Sequence, residues 1–431
     1  MCKKVVTKIN EILQPIQQYS QPFKNIEDLR HLIKKASKAK YALLGEATHG
    51  TAEFYTIRAE ISKKLISEYG FSFIAVEGDW PSCYEVNRYI KGRSNYTDAR
   101  EVLSQFQRWP TWMWANEEII PLIEWLKEHN QSKQEEEKVG FYGIDVYSLW
   151  ESMEAIIAYL QKINSPDLEK AMQAITCFQP YNKRPEQYGM SAAFLGESCR
   201  EEVLELLHSI MSKRKQYLEE NRENYLNLQM NGIVSKNAES YYKTMLTDDT
   251  ESWNIRDHHM VEALEIIRHF YGEEAKGIVW EHNTHIGDAR ATSMEQEGIV
   301  NVGQITREKF GSQNVYAIGF GTYKGTVIAT EKWGDSYKIM NIPEAQKNSW
   351  EEQLHRVGAF NQTFIFTEDN RRFFNQIIGH RAIGVIYDAA YEQYGNYVPT
   401  KVSERYDGFI FVDQSTAVTP IAINAETSNH G

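Results

Sequence analysis

Short apolar runs that end in an acidic residue recur along the chain, and helical patterns separate them. The runs predict strands that end at Glu46, Glu77, Asp145 and Glu281, and the alternation with helices is typical of a parallel sheet covered on both faces. Because parallel strands have their carboxyl ends at one edge of a sheet, we expect these acids and His282 to converge on one polar site.

The helix that follows the first strand has an arginine on its apolar face. The strand ends in the turn Gly45 to Gly50, and Thr51 is the predicted N-cap of this helix. Arg58 then falls on the side that faces inward. A buried guanidinium keeps its charge and needs carboxylate partners, so we expect Arg58 to pair with Glu46 and Glu77.

The pattern divides the chain into three parts. Residues 1–149, which open with one or two helices before the first strand, form an N-terminal α/β half. Residues 150–275 are helical almost throughout and are predicted to form an insertion or cap, and residues 276–431 complete the sheet. The predicted fold class is therefore α/β, a three-layer α/β/α core with a mostly parallel sheet and a large helical insertion.

The last part of the chain is rich in short β-type runs separated by glycine-containing turns. Such runs are expected to complete the sheet and to add an antiparallel edge. They are Val315 to Phe320, Gly325 to Thr330, Thr363 to Thr367, Ala382 to Tyr387 and Phe409 to Val412.

Charge and hydropathy exclude several classes of partner. The net charge is −12 and the basic residues form no long run, which argues against nucleic acid and against an acidic membrane surface. No apolar stretch follows the first lysines as in a signal peptide, and none is long enough to span a membrane. We expect a cytoplasmic protein that acts on a small molecule, and its oligomeric state stays open.

The cysteines are scattered, and no CxxC pair occurs. Cys2, Cys83, Cys177 and Cys199 are therefore expected to be reduced thiols, most of them buried. None of them lies in a turn beside a histidine, so a cysteine nucleophile is not expected. A serine nucleophile and a nucleotide cofactor are equally unsupported, because the GxSxG, GxGxxG and phosphate-loop patterns are absent.

His49 is the candidate general base. It lies at the N-terminal end of a helix, where the helix dipole favours the neutral, basic imidazole over the cation. A neutral imidazole can take a proton from water, and Glu46 could hold the other ring nitrogen and fix the tautomer. The alternative for His49 alone is a structural role in closing the turn.

Two further clusters have both a functional and a structural interpretation. Trp109, Trp112 and Trp114 could line a substrate pocket, but filling the core between helices accounts for them more readily. Arg256 and Asp257 could point into the site, although we favour an ion pair on a helix surface.

His282 and His285 lie three residues apart in the turn after a strand. They could bind a metal, donate to an oxyanion or orient a substrate. Together with Glu46, His49 and Glu77 they would also suit a divalent ion. A buried Arg58 would repel such an ion and occupy the same carboxylates, so we expect no metal and no other cofactor.

At these motifs the sequence resembles the erythromycin esterase family. The matching segments are Leu43 to Gly50 with Arg58, Ala75 to Glu77, and Val279 to His285, and the resemblance extends from about residue 25 to residue 415. The sequence resembles a Bacillus-type branch, often labelled as succinoglycan biosynthesis proteins, more than it resembles the macrolide-resistance enzymes. Glu281 stands where many relatives have a small residue.

The resemblance implies a fold, an activity and a set of site residues. The family has an α/β/α core with a large helical portion, and its best-known members open a macrolactone ring by hydrolysis, which confers macrolide resistance. The residue that matches His49 is regarded as the general base. The residues that surround it match Glu46, Arg58, Glu77, His282 and His285. Erythromycin itself is not implied as the substrate.

The sequence therefore predicts a metal-independent hydrolase of carboxylic esters. In this hypothesis His49 deprotonates water, Glu46 orients it, and Arg58, His282 or His285 stabilises the oxyanion. One alternative is a metal-dependent hydrolase that uses the same side chains as ligands. Another is a haem-binding or metal-binding protein without catalysis, because a distant branch of this fold includes such proteins.

Overall fold

A mostly parallel sheet forms the centre of the computed structural model, which describes residues 12–421. The predicted helical segment within residues 1–11 lies outside this range. The strands are β1 (Gln21–Pro22), β2 (Tyr41–Leu44), β3 (Phe73–Asp79), β4 (Gly140–Asp145), β5 (Gly277–Trp280), β6 (Val315–Ala329), β7 (Lys338–Ile342), β8 (Gln362–Ile365), β9 (Ile377–Arg381), β10 (Tyr397–Lys401) and β11 (Gly408–Ser415).

The helices fall into three groups along the chain. Those before the insertion are α1 (12–19), α2 (Arg30–Ala36), α3 (Ala52–Tyr69), α4 (Trp80–Ile90), α5 (Ala99–Leu103) and α6 (Ile120–Gln131). The helical block comprises α7 (Leu149–Lys162), α8 (Leu168–Phe178), α9 (Pro185–Met190), α10 (Arg200–Ser212), α11 (Arg214–Glu220), α12 (Arg222–Thr244) and α13 (Asp249–Tyr271). The remainder are α14 (Asn283–Ile286), α15 (Val302–Phe310), α16 (Trp350–Val357), α17 (Glu392–Gly395) and α18 (Val402–Arg405).

The strand order of the main sheet is β1-β8-β11-β6-β2-β5-β3-β4, and β7 pairs with β6. All neighbours from β11 to β4 are parallel, whereas β8 and β1 add an antiparallel edge and β7 is antiparallel to β6. Strands β9 and β10 form a separate antiparallel pair. The predicted fold class, with its antiparallel edge, is confirmed.

The central strands are buried on both faces by helices. In β2, Ala42 and Leu44 pack in the apolar cluster that includes α3, whereas Tyr41 and Leu43 pack in the cluster that includes α13. This alternation has the two-residue period of a strand and places β2 in the middle of three layers. All four residues of β2 are buried.

The helices α7 to α12 share an apolar cluster of their own, separate from the two clusters on the sheet. Helix α12 also contributes Leu226, Met230 and Val234 to the cluster on one face of the sheet, and α13 packs in that cluster through Met260 and Leu264. The division at residues 149 and 275 stays a prediction. No helix within residues 12–421 is long and apolar enough to cross a membrane.

Two expectations for the C-terminal part are wrong. The runs Val315 to Phe320 and Gly325 to Thr330 belong to the single long strand β6, without a turn between them. The run Ala382 to Tyr387 is not a strand and makes only isolated bridges, through Ile383 and Ile386.

The expectation that the cysteines stay reduced is also wrong for one pair. Cys177, near the end of α8, forms a disulfide with Cys199, just before α10, across a separation of 22 residues. Cys83 is a buried free thiol, and Cys2 lies outside the described residues. The cellular location that we derived from the cysteines remains a prediction.

Candidate active site

The turn after β2 holds Glu46 and His49 against the end of the sheet. Two glycines allow its tight path, because a Cβ atom at Gly45 would collide with the side chain of Asn283, and one at Gly50 with the carbonyl of Ile328. Asn283 belongs to the turn after β5, so the two turns interlock at the carboxyl edge of the sheet.

Glu46, His49 and Arg58 form a continuous hydrogen-bonded chain. Glu46 Oε1 lies 2.8 Å from His49 Nδ1, and Glu46 Oε2 lies 2.5 Å from Arg58 Nη2. Arg58 is 1% exposed, and its guanidinium stacks over the rings of Tyr55 and Trp280 at 4.9 and 4.6 Å. The expected burial of Arg58 against Glu46 is confirmed.

The expected ion pair between Arg58 and Glu77 does not form. Glu77 Oε2 accepts a hydrogen bond from the backbone N–H of His282 at 2.8 Å, and Glu77 Oε1 lies 2.7 Å from Arg256 Nη2. The order of the strands is the physical reason for the difference, because β5 lies between β2 and β3 and separates the two strand ends.

Arg256 is the central cation of the site, and the interpretation as a surface ion pair is wrong. Its Nε and Nη2 bind both carboxylate oxygens of Asp145 at 2.9 and 2.7 Å, and Nη2 also reaches Glu77. Nη1 donates to His285 Nε2 at 3.0 Å. A guanidinium has five N–H donors, so one N–H of Nη1 is left without an acceptor from residues 12–421.

Asp257 fixes the ring of His285 through its Nδ1 atom. Its two carboxylate oxygens lie 2.9 and 3.0 Å from His285 Nδ1, and Trp253 stacks on the ring at 4.6 Å. Because Nε2 accepts from Arg256, Nδ1 is the protonated nitrogen that donates to Asp257. His285 therefore serves as an acceptor for Arg256 and has no proton on the nitrogen that faces it.

His282 and Glu281 are buried beside these groups. His282 Nδ1 is 2.8 Å from Thr284 Oγ1, and its ring lies 5.0 Å from the ring of His49. Burial and the neighbouring His49 hold the pKa of His282 well below its usual value. Glu281 is completely buried, and neither carboxyl oxygen has a hydrogen-bonding partner among residues 12–421. Burial raises the pKa of Glu281 well above its usual value, and the charge of Glu77 adds to the effect.

The pKa of His49 is shifted in the direction opposite to the expected one. Burial on its own would lower the pKa of His49, but the charge of Glu77 and the hydrogen bond and charge of Glu46 outweigh it and raise that pKa above its usual value. The helix dipole is thus weaker here than two carboxylates at close range. Burial would raise the pKa of Glu77, yet the positive charges around it, including those of His49 and Arg256, and the backbone N–H of His282 hold that pKa well below its usual value.

A cleft opens above this network and has two parts. The inner cleft encloses about 120 Å³ and is lined by four of the site's charged or titratable groups, His49, Glu77, Asp145 and Arg256. The outer cleft, of about 400 Å³, continues from it past Arg108, Trp109, Tyr147 and Trp333. Of the predicted site residues, only His49 and Glu77 line the inner cleft, and Glu46, Arg58, His282 and His285 lie beneath it.

The three tryptophans of the predicted cluster divide between core and cleft. Trp112 and Trp114 are buried in the core beside α3, and Trp114 also borders the inner cleft. Trp109 lines both parts of the cleft and packs on Trp333, with ring centroids 4.4 Å apart. Each of the two interpretations therefore holds for part of the cluster.

Apart from Glu281, the carboxylates of the site are already bound to cations and N–H groups. Both oxygens of Glu46, of Glu77 and of Asp145 have such partners. Among residues 12–421, no group of three His, Cys, Asp or Glu side chains has the arrangement of a metal site. These carboxylates thus form ion pairs around the buried Arg58 and the half-buried Arg256.

The chain is similar in sequence to known proteins. Residues 66–415 match the profile of the erythromycin esterase family. Erythromycin esterase type II of Escherichia coli is 27% identical over 127 residues, which are 30% of this chain and 28% of that protein. The chain thus matches less than a third of the length of this curated relative.

Solved structures share the fold along almost the whole chain. A succinoglycan biosynthesis protein superposes with a TM-score of 0.78 at 21% identity, covering 96% of this chain and 98% of its own. A Bacillus cereus protein gives 0.79 at 19% identity, with 96% and 99% covered. A histidine-to-asparagine mutant of the erythromycin esterase EreC in its open conformation gives 0.66 at 16% identity, with 96% and 98% covered. Because the family profile spans residues 66–415, the chain belongs to the erythromycin esterase family.

Proposed function

We propose that this protein hydrolyses carboxylic esters or lactones, with His49 as the general base. The observation that carries the proposal is the pairing of a fixed imidazole with a cation in one cleft. Glu46 holds His49 through Nδ1, whereas the nearest acid to Nε2 is Glu77 Oε1, at 4.0 Å. Nε2 is therefore the nitrogen that can take a proton from water.

The reaction proceeds in two steps. In the first, a water molecule gives one proton to His49 Nε2, and its oxygen bonds to the ester carbonyl carbon, so the carbonyl oxygen becomes an oxyanion. In the second, the oxyanion reforms the carbonyl, the bond to the alcohol oxygen breaks, and that oxygen takes the proton from His49. The products are a carboxylic acid and an alcohol, or a hydroxy acid from a lactone.

Arg256 is the residue that we assign to the oxyanion. It lines the inner cleft, and one N–H of its Nη1 has no protein acceptor within residues 12–421. Its other donors are fixed by Asp145, Glu77 and His285, so the guanidinium is held in place before the substrate arrives. Arg58 stays in the role of holding Glu46, because it lies beneath the cleft.

We also propose that the reaction needs no metal ion. A divalent cation would have to displace Arg58 or Arg256 from the carboxylates and would then lie close to their positive charges. Hydrolytic zinc sites use about three protein ligands and an open water position, and here Glu77 and Asp145, which line the cleft, are occupied. Dialysis against a strong chelator is expected to leave the activity unchanged, with the residual metal measured by mass spectrometry. Activity that disappears with the metal and returns with zinc or manganese favours the metal-dependent alternative.

The test of His49 is its replacement by asparagine. His49→Asn should lower kcat on a chromogenic ester such as 4-nitrophenyl butyrate by about 10²–10⁴-fold, the usual contribution of a general base. The circular dichroism spectrum and Tm should match those of the wild type. The matched control is His208→Asn on the exposed face of α10, which should retain full activity. A folded His49→Asn protein with more than about a tenth of the activity contradicts the assignment.

A further inference from the structure

The outer cleft has the composition of a binding site for a large group of the substrate. It shares Arg108, Trp109, Tyr147 and Trp333 with the inner cleft, so a molecule that spans both parts has its reacting bond near His49 and another end among the outer residues. Half of the outer lining residues are aromatic. They are Trp109, Tyr147, Trp150, Tyr241, Tyr242 and Trp333.

One aromatic ring at this junction, that of Tyr147, already contacts two cations. The guanidinium of Arg108 lies 5.2 Å from the centre of the Tyr147 ring, and that of Arg256 lies 4.9 Å from it. A positive charge within about 6 Å of an aromatic centre is attracted by the negative face of the ring. The other aromatic rings of the outer lining, among them Trp109, Trp150 and Trp333, can attract a positively charged group of the substrate in the same way.

The charged residues around the outer cleft carry an excess of acid. Arg108 is neutralised by Asp79, which binds it with both oxygens, and Lys183 is paired with Glu154 at 2.6 Å. Glu151 lines the same cleft. No side chain of residues 12–421 forms a hydrogen bond or ion pair with its carboxylate, and burial raises its pKa above the usual value. A carboxylate in this state gains free energy from a cation in the cleft.

We propose that the outer cleft binds a positively charged alkylammonium group of the ester substrate, with Glu151 as its counter-ion and the tryptophans as its walls. The proposal rests on the proposed ester hydrolysis and adds the substrate class. A carboxylate on the substrate would instead face Glu151 and Glu186, so the cleft disfavours anionic esters.

The test compares two esters of equal shape. One series of 4-nitrophenyl esters has an acyl chain that ends in a trimethylammonium group, and its neutral counterpart ends in tert-butyl. Chains of increasing length let the end group reach the outer cleft. At the best length the wild type should favour the cationic ester by about 3- to 30-fold in kcat/KM, the range of a cation–π contact supported by an acid.

Two variants test whether the outer cleft causes the preference for the cationic ester. Glu151→Gln should bring the ratio of kcat/KM for the two esters close to one, chiefly through a higher KM for the cationic ester. Glu169→Gln is the matched control, because Glu169 is an exposed acid of α8 outside the cleft lining, and this variant should keep the wild-type ratio. Calorimetry with phenyltrimethylammonium gives a readout without catalysis, and this probe should bind the wild type more tightly than Glu151→Gln.

The outcomes separate the two proposals. If the wild type hydrolyses both esters with a ratio near one at every chain length, the cationic specificity is wrong and the ester hydrolysis stands. A preference that survives Glu151→Gln overturns the role of Glu151. If neither ester is hydrolysed, the proposed function fails, and binding of phenyltrimethylammonium that depends on Glu151 would still support the cation site.

Discussion

Glu46 lies between His49, the proposed general base, and Arg58. One of its oxygens accepts from His49 and the other from Arg58, so its charge is fixed beside the imidazole. The neutral imidazole is the active form of a general base, and activity therefore rises with pH through the pKa of His49. Because Glu77 and Glu46 raise that pKa, the acid limb of kcat/KM is expected above the usual histidine value.

Glu46→Gln tests this arrangement. Loss of the carboxylate removes a charge that raises the pKa of His49, so the acid limb should move to lower pH. The wrong tautomer or orientation should also lower kcat, by about 10²–10⁴-fold. The measurement is kcat/KM from pH 5 to 9 in parallel with Glu60→Gln, an acid of α3 that pairs with Lys63. An acid limb at the wild-type position would show that Glu46 does not act on His49.

Glu281 has an effect on stability that can be measured apart from activity. Its pKa is raised in the folded protein, so between its usual pKa and the raised one the native state holds a proton that the unfolded state has lost. Stability then falls as pH rises, by up to about 1.4 kcal/mol for each pH unit. Glu281→Gln has no such proton to lose.

We therefore expect Glu281→Gln to flatten the dependence of stability on pH. Urea unfolding at pH 5, 6.5 and 8 should show the free energy of unfolding of the variant rising relative to that of the wild type as the pH increases. A difference between variant and wild type that stays constant across this range would mean that Glu281 is ionised in the folded protein.

At the level of elements, α13 contributes two residues to the site that the sequence pattern assigned to a helix surface. Arg256 and Asp257 are adjacent, and both reach the site because α13 packs on the sheet beside the strand ends. Polar residues on a helix usually face solvent, and periodicity does not tell whether a polar face meets water or the edge of a sheet. The strand-end acids were predictable, because a charged residue directly after a buried strand has to lie at the edge of the sheet.

Arg256→Lys tests the contribution of α13. A lysine keeps the charge but cannot bind Asp145 with two N–H groups or keep a further one for the substrate. We expect kcat to fall by about 10²–10³-fold, the usual result of removing an oxyanion donor. Arg268→Lys, near the other end of α13 and paired with Glu273, is the matched control. A kcat of Arg256→Lys within about twofold of the control would exclude Arg256 from the oxyanion role.

The long strand β6 shows why glycine is ambiguous in a sequence. The local pattern predicts a turn between Gly321 and Gly325, but both glycines lie within β6. A Cβ atom at Gly321 would press on the ring of Phe409, and one at Gly325 would collide with the carbonyl of Ser415. Both glycines allow β6 to lie close to the neighbouring strand β11. The local sequence does not show whether a glycine allows such a close approach or forms a turn.

At the scale of the whole molecule, the predictable part is the architecture and the unpredictable part is the order of its strands. The α/β/α layers follow from buried runs that alternate with helices. The partner of each acid depends on which strand lies between which others, and that order is not a local property. The predicted Arg58–Glu77 pair was wrong for this reason. The disulfide between Cys177 and Cys199 was not predicted for a similar reason, because it depends on the packing of α8 beside α10.

The strand order also has a consequence for synthesis of the chain. Strand β5, residues 277–280, lies between β2 and β3 and pairs with both. Strands β2 and β3 are therefore not neighbours in the sheet. While the chain emerges from the ribosome, the edges of β2 and β3 that later pair with β5 stay unpaired until nearly two hundred further residues have been made. Unpaired edges of apolar strands invite association with other chains. We therefore expect the nascent N-terminal half to be prone to association until β5 has been made, and the candidate site to form only after β5 has entered the sheet.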